Sequence, residues 1–551
     1  MIEYIDQEKC VGCGTCTKTC PLDVFRIDPR QPELAPCMAA CPAGIDIRTD
    51  HALVQQGKVL EALDNLKKAQ PFPAITGRVC FHPCEGACSR KEVDAAVNIN
   101  GLEQFLGDVD LACDKTVPAT RRHISRVAVV GSGPAGLACA YFLADMGYAV
   151  SVFEASPEPG GMLRYGIPAY RLPDAVVRAQ VAKLEAMGVR FRCNTKVGRG
   201  VDLSLDDLLD DGFNAVFLAL GTTTSRKLAL PGADLSGVYW GLEFLRAVRS
   251  GEAPRLRGKV LVVGGGDVAV DAAISAKRLG AAQVAMACLE PEGGLPAYAH
   301  NLADAEREGI TFHCSLGPAR ILEKDGRVGG VEFTSCLSVC DASGAFNPTF
   351  DEACVLAIEA DAVVFAIGQA TELDGFAGEL DMARGRIIAD PVTCATSRWG
   401  VFAAGDAVTG PASVVRAIAG GREAAFSIDR MLKGAEIRAG RDRPRPELPK
   451  ERLPGKDILP QLRNERRLLA PHAAPGFAES RAGFDLHEAF AEANRCLTCG
   501  SKAYVAYDDD CMTCFSCELR CPSGAINVHP FKERIPRTLE MLFMPAGRTV
   551  P

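Results

Sequence analysis

The sequence predicts an α/β protein, and three observations predict it. Residues from 126, "RVAVVGSGPAGLACAYFLADMGYAVSVFEA", read as strand, glycine turn, helix and strand. The pattern recurs from 259 as "KVLVVGGGDVAVDAAISAKRLGAAQVAMACLE". Cysteines crowd into three places: four in 10–20, five in 37–88 and six in 496–521. The first two observations specify two Rossmann-like dinucleotide-binding domains, because a buried strand feeding a glycine turn and a helix aims the helix N-terminus at a pyrophosphate. The third adds an N-terminal helical iron–sulfur domain and cluster-binding segments at both ends.

Composition narrows the function classes. A chain of 551 residues has room for about three or four domains. At 48% hydrophobic it can bury several cores, and a net charge of -8 is mild for the length. No long basic block is present, so nucleic acid is not an expected partner. No purely apolar stretch of about 18 residues suggests a membrane span. The N-terminus lacks a signal-peptide layout, and a cytoplasmic location, poor in oxygen, is expected. Without an export signal, 24 cysteines point to metal ligation and not to a disulfide scaffold. The nine outside the three groups are expected to be buried small apolar residues.

Taken in chain order, the first element is "CVGCGTCTKTCP". Cys10, Cys13, Cys16 and Cys20 stand at C-x2-C-x2-C-x3-C-P, the bacterial ferredoxin run for a [4Fe–4S] cluster. In two-cluster ferredoxins the fourth cysteine of such a run ligates the other cluster, so one run is half an object. The stretch 47–68 follows with helical apolar spacing, then proline-rich turns and Cys80, Cys84 and Cys88. In the first glycine turn, Gly131 makes the bend and Gly133 lets the backbone approach a pyrophosphate. Pro134 and Ala135 open the helix, and Gly136 lets it pack on the strand. Glu154 ends the next strand, where an acid binds ribose hydroxyls. Gly264 and Gly266, then Asp267, Val268 and Ala269, repeat the turn as G-x-G-x-x-A. "RDRPRPELPKERLPGKDILPQLRNERRLLA", 441–470, carries prolines and dense charge and reads as a solvated linker or arm. No C-x-x-C pair accompanies the glycine turns, which argues against a dithiol mechanism.

With "GGMLRYGIPAYRLP" at 160–173 and "VFAAGDAVTGP" at 401–411, residues 31–435 resemble the glutamate synthase small-subunit family and its relatives. The resemblance implies a disulfide-reductase-like architecture with the nicotinamide domain inserted into the FAD domain. The expected organisation is then 1–30, a ferredoxin-like half; 31–115, the helical iron–sulfur domain; 116–250 and 371–440, the FAD domain; 251–370, the NAD domain; 441–495, the arm; and 496–551, a second ferredoxin-like segment. It implies FAD lined by Gly161, Met162 and Arg171, with Asp406 after Gly405 on the ribityl chain, and Gly368 returning the chain toward the flavin. NADP-binding relatives carry arginines after the strand that ends near 287. Here Glu290 and Glu292 stand instead, and a carboxylate accepts from ribose hydroxyls while repelling a 2′-phosphate, so NAD(H) is expected. The alternative has Arg278 or Lys277 reach a phosphate.

The same family carries two clusters in its helical domain. The resemblance implies one held by Cys41, Cys80, Cys84 and Glu103, with Gln104 as a fallback. Cys37 and Cys88 then lack two partners, because prolines 29 and 32 replace the expected cysteines. Either that cluster is lost, or cysteines from the ends of the chain complete it. At the tail, "CMTCFSCELRCP" repeats the opening run with Cys511, Cys514, Cys517 and Cys521, after Cys496 and Cys499 in "RCLTCG". Two arrangements are open. The ends meet, so that Cys10, Cys13 and Cys16 share a cluster with Cys521 while Cys511, Cys514 and Cys517 share one with Cys20; or each run is completed locally or in a partner subunit, using Cys496 and Cys499.

The expected function is electron transfer from about three to four [4Fe–4S] clusters through FAD to NAD+, or the reverse. Hydride passes between nicotinamide and flavin, so no catalytic side chain is expected. No segment supplies a site for an organic substrate, so other subunits are expected partners, including a ferredoxin-like electron donor. By resemblance, a 2-oxoacid:acceptor oxidoreductase such as phenylglyoxylate dehydrogenase is the leading class. A glutamate synthase small subunit and a stand-alone or bifurcating ferredoxin:NAD(P) oxidoreductase are the alternatives.

Overall fold

The computed structural model describes residues 1–7, 9–28, 34–113, 118–441, 458–469 and 476–529. Pro29, Pro32 and 442–457 of the charged stretch lie outside the described residues.

The first dinucleotide unit is a five-stranded parallel sheet. Its strand order is Val401–Ala403, Ala215–Leu218, Arg126–Val130, Ala149–Phe153, Arg190–Arg192. The central strands are valine-rich because both faces are covered. Val127, Val129, Val150 and Val152 face one core, and Ala128, Val130, Phe153 and Val216 face the other. Helices Pro134–Asp145 and Val414–Leu432 pack on the first face, so closely that a Cβ on Gly421 would overlap the Ala135 carbonyl.

The second unit is also a five-stranded parallel sheet, ordered Thr311–His313, Gln283–Ala287, Lys259–Val263, Ala362–Phe365, Val238–Trp240. Val238–Trp240 and the helix Gly241–Arg249 precede residue 251, where the sequence placed the start of this domain, yet the strand pairs within its sheet. The chain crosses between the units where Thr224–Ser225 pairs antiparallel with Gln369–Ala370. An antiparallel three-stranded sheet, Leu316–Lys324, Arg327–Cys340 and Phe346–Glu359, extends from the second unit. Cys340 and Cys354 are exposed on it, against the expectation of burial; there the strand shows little but solvent-facing residues.

The N-terminal domain is helical: Pro36–Ala40, Ile47–Gln55, Val59–Lys67, Pro73–Val79, Pro83–Gly86 and Ile99–Ala112. Leu53, Leu63, Leu66, Leu102 and Leu106 form its core. Ala489 and Ala493 of a helix at Leu486–Ala493, with Phe484 just before its Asp485 cap, complete that core. The expectation that 441–495 is a solvated arm is therefore corrected for its described part. Asp485 and Glu488 close a capping box on this helix. Arg463 pairs with Glu85 at 2.8 Å, and Arg466 donates to the Gly77 carbonyl at 2.8 Å. The segment is polar, as read, but docked.

The two ends of the chain meet. Ile2–Ile5 pairs antiparallel with Ile526–Val528, and Phe25–Ile27 with Ala503–Val505. Ile2, Val24, Phe25, Ala503, Ile526 and Val528 share one small core. Among the described residues no helix is long and apolar enough to cross a membrane.

Candidate cofactor and cluster sites

At the first glycine turn the helix Pro134–Asp145 starts with proline in its first turn and Gly133 as its N-cap. A Cβ on Gly136 would overlap the Gly131 carbonyl oxygen, so this spacing is what seats the helix on the strand. Nothing lies within 4 Å of a Cβ on Gly133, which leaves room for a pyrophosphate beside the helix N-terminus. Glu154 is buried at the end of its strand. Its carboxylate accepts from Ser132 N at 3.0 Å, from Ser156 N at 2.8 Å and from the Ser132 hydroxyl. Four lone-pair sites leave it capacity for a ribose. Gly161 lies over Gly133, and Met162 opens the short helix Met162–Tyr165 after it.

Gly405 stands 3.2 Å, measured from a built Cβ, from Ala135, which brings Asp406 to the same helix N-terminus. Burial pushes the Asp406 carboxyl up to about 6, against hydrogen bonds with the Ala412 backbone and the Thr222 side chain. The Thr222 hydroxyl donates to Gln369 at 2.8 Å. Neither was singled out in the sequence. The Arg171 guanidinium pairs with Asp271, 2.7 Å away on the second unit's helix Asp267–Arg278. Tyr170 donates to the same carboxylate at 3.1 Å.

In the second unit Gly266 caps the helix Asp267–Arg278 and, like Gly133, has open space where a Cβ would stand. Val268 lies in the first turn of that helix. The Asp267 carboxylate accepts from Asn301 at 2.7 Å and from Tyr298 N. A Cβ on Gly265 would meet Glu290 Oε2 at 2.7 Å, so the Glu290 carboxylate lies against the glycine turn. Arg278 is taken by Glu308 at 2.6 Å and lies over the Tyr170 ring, while Lys277 donates to the Ala282 carbonyl. Gly368 accepts from Arg226 N at the crossing between units.

The thiols ring cavities. Cys41, Cys80, Cys84 and Glu103 line one of about 490 Å³, walled by Ile45, Leu66, Leu102 and Val415. Glu103 is held by Thr76 at 2.6 Å and Gln70 at 2.9 Å through Oε1. Cys37, Cys88, Cys496 and Cys499 line a second of about 360 Å³. Burial, then the neighbouring sulfurs of Cys496, Cys88 and Cys499, raise the Cys37 thiol well above its usual range. The loop that brings Cys496 there is fixed by buried charges. Arg495 pairs with Glu492 at 2.6 Å and with Asp94 at 2.8 Å. Gln104 lies on the Glu103 helix, but its Oε1 accepts from Arg466 at 2.9 Å.

In the terminal unit Cys20 lines a cavity of about 310 Å³ with Cys511, Cys514 and Cys517. Cys16 is buried beside Cys13, Cys10 and Cys521; burial and those sulfurs push its thiol up to about 12. Among the described residues no three His, Cys, Asp or Glu side chains converge on a single ion. Thiols spread around cavities suit a polyatomic cluster, and ligation would release the protons that burial holds on them. Arg48, which lines the second cavity, donates to Cys499 O at 2.8 Å and Ser501 O at 3.3 Å, and Ser501 lies against Gly12, between Cys10 and Cys13.

Residues 125–421 match the family described as pyridine nucleotide-disulphide oxidoreductase. Residues 31–115 match dihydropyrimidine dehydrogenase domain II, 4Fe-4S cluster, and 3–26 match a 4Fe-4S binding domain. The chain is 36% identical over 504 residues to the NADP(+)-dependent formate dehydrogenase subunit beta of Moorella thermoacetica, covering 84% of this chain and 70% of that one. It is 33% identical over 517 residues to the NADPH-Fe(3+) oxidoreductase subunit beta of Geobacter sulfurreducens, covering 86% and 76%. It is 34% identical over 421 residues to the glutamate synthase [NADPH] small chain of Escherichia coli, covering 72% and 88%.

Proposed function

Because the chain belongs to the pyridine nucleotide-disulphide oxidoreductase family, alongside the glutamate synthase small chains, we propose that it is the electron-transfer subunit of a multisubunit oxidoreductase linked to NAD(H). FAD, a nicotinamide dinucleotide and [4Fe–4S] clusters are its cofactors, and it is an oxidoreductase. When bound, FAD exchanges a hydride with the nicotinamide and single electrons with iron–sulfur centres.

The observation that carries the reading is that the candidate ligands fall into four groups of four, arrayed from the surface to the first glycine turn. Cys20, Cys511, Cys514 and Cys517 form the outermost group, where Cys514 is exposed. Cys10, Cys13, Cys16 and Cys521 come next. Gly12, Ser501 and Arg48 link them to Cys37, Cys88, Cys496 and Cys499. Ile47, His51 and Ile99 line both that cavity and the one of Cys41, Cys80, Cys84 and Glu103. Val415 walls the latter, two residues beyond the Ser413 cap and close to Ala412, which bonds Asp406. This order supports a single route between an external one-electron partner and FAD. Gly133, Glu154 and Asp406 would hold the flavin dinucleotide, and Gly266 and Glu290 the nicotinamide dinucleotide.

Glu290 supports NAD(H) over NADP(H), although the three relatives named are NADP-linked. The partner is proposed to act on a small organic acid: a 2-oxoacid such as phenylglyoxylate, as the sequence suggests, or formate, which the beta-subunit relative favours. The chain, purified without oxygen, is mixed with NADH or NADPH while flavin absorbance is followed. Bleaching at lower NADH than NADPH concentration is expected; reduction by NADPH alone would overturn the NAD(H) assignment. Subunits that copurify identify the acid.

A further inference from the structure

Ile47, His51 and Ile99 are the three residues that line both helical-domain cavities. Two are aliphatic, so His51 alone brings polar atoms to that shared wall. It lies in the helix Ile47–Gln55, is 3% exposed, and its buried Nδ1 has no hydrogen-bond partner among the described residues. Leaving a buried polar nitrogen unpaired is costly, so such a group calls for a partner. The two cavities differ in what else they offer. Arg48 and Arg90 line the one with Cys496 and Cys499. Around Cys41, Cys80, Cys84 and Glu103, every lining side chain other than His51 is aliphatic, proline, thiol or carboxylic acid. His51 is thus the one side chain of that lining with an N–H, and imidazole keeps an N–H whether neutral or protonated.

We propose that His51 donates a hydrogen bond to the cluster held by Cys41, Cys80, Cys84 and Glu103, raising its reduction potential above what an apolar residue there would give. The physical basis is that N–H donors to cluster sulfur stabilise the added negative charge of the reduced state. The proposal rests on the reading that this cavity holds a cluster. His51 is then a positioning and tuning residue beside the flavin-proximal centre and not a ligand.

The test uses the full chain purified without oxygen, as wild type, His51→Leu and His51→Gln, with iron content and an EPR-monitored redox titration for each. Iron is expected to be retained in all three. In His51→Leu one cluster signal should move to lower potential by the equivalent of about a tenfold change in its reduction equilibrium, about 59 mV for one electron. His51→Gln, which keeps an N–H, should stay closer to wild type. Because the His82 backbone N–H already donates to Cys80 Sγ at 3.3 Å, the label is confined to the imidazole: pulsed EPR of wild type grown with ring-15N-histidine should show a nitrogen coupling on that reduced cluster, and this readout stands even if the leucine variant does not fold. Unmoved potentials with intact iron, or no nitrogen coupling in the wild type, would overturn the proposal. Loss of that cluster's iron in a folded His51→Leu chain would make the imidazole a ligand and overturn the donor role. A wild-type chain with the same iron content and spectrum as Cys84→Ser would instead sink the cluster reading itself.

Discussion

Single residues at the two glycine turns do separable jobs. Gly136 is needed for the fold, because a methyl there strikes the Gly131 carbonyl backbone, whereas a methyl on Gly266 would meet nothing in the protein and would obstruct only the dinucleotide proposed to bind there. Gly136→Ala should lower stability by about 1–3 kcal/mol, read from thermal or urea unfolding. Gly266→Ala should leave unfolding unchanged but weaken nicotinamide nucleotide binding by about tenfold, about 1.4 kcal/mol, measured by titration. Glu290→Arg should move the preference toward NADPH by tenfold or more in flavin-reduction assays, since it exchanges a carboxylate against the turn for a phosphate-pairing guanidinium. These roles were legible in the sequence because strand, turn and helix are contiguous there. Arg171 was not: its partner Asp271 lies a hundred positions away on the other unit, and local pattern carries no trace of that pairing.

Among the elements the sequence reading passed over is the helix Leu486–Ala493. The prolines and charges of 441–470 colour the whole neighbourhood as solvated, yet D-x-x-E at 485–488 followed by small apolar residues is a capping-box signal that was there to be read. Its consequence is the second helical-domain cavity, because the helix ends at Ala493, Arg495 pairs with the Glu492 and Asp94 carboxylates, and the next residue, Cys496, lines the cavity. Cys496→Ser or Cys499→Ser should remove the iron of that one site and leave the others, seen as the loss of one EPR signal with the remaining signals unchanged. Arg495→Ala should be costlier, about 3–5 kcal/mol, because it strands the buried Glu492 charge. The absence of the usual cysteines near 29 and 32 could be seen in the sequence. The sequence left open whether the cluster is lost or completed from the ends of the chain; that Cys496 and Cys499 line the cavity depends on the docking of a segment from the far end of the chain.

At the scale of the whole molecule, the terminal segments form one small domain through two antiparallel strand pairs, each joining residues near opposite ends. Cys521→Ser should therefore abolish the cluster signal shared with Cys10, Cys13 and Cys16, and Cys20→Ser the one shared with Cys511, Cys514 and Cys517. Iron analysis with EPR of the two variants checks this; each substitution extinguishing its own run's cluster would refute the crossed arrangement. That two half-runs imply one whole was legible from their spacing, and the strand partners were not. The joining of opposite ends also dictates an order of assembly. During synthesis at roughly 5–20 residues per second, the opening strands leave the ribosome tens of seconds before anything exists for them to pair with. Both dinucleotide units can be complete while Cys10, Cys13, Cys16 and Cys20 still stand open to oxidants, so a segment made before those units acquires its structure after them.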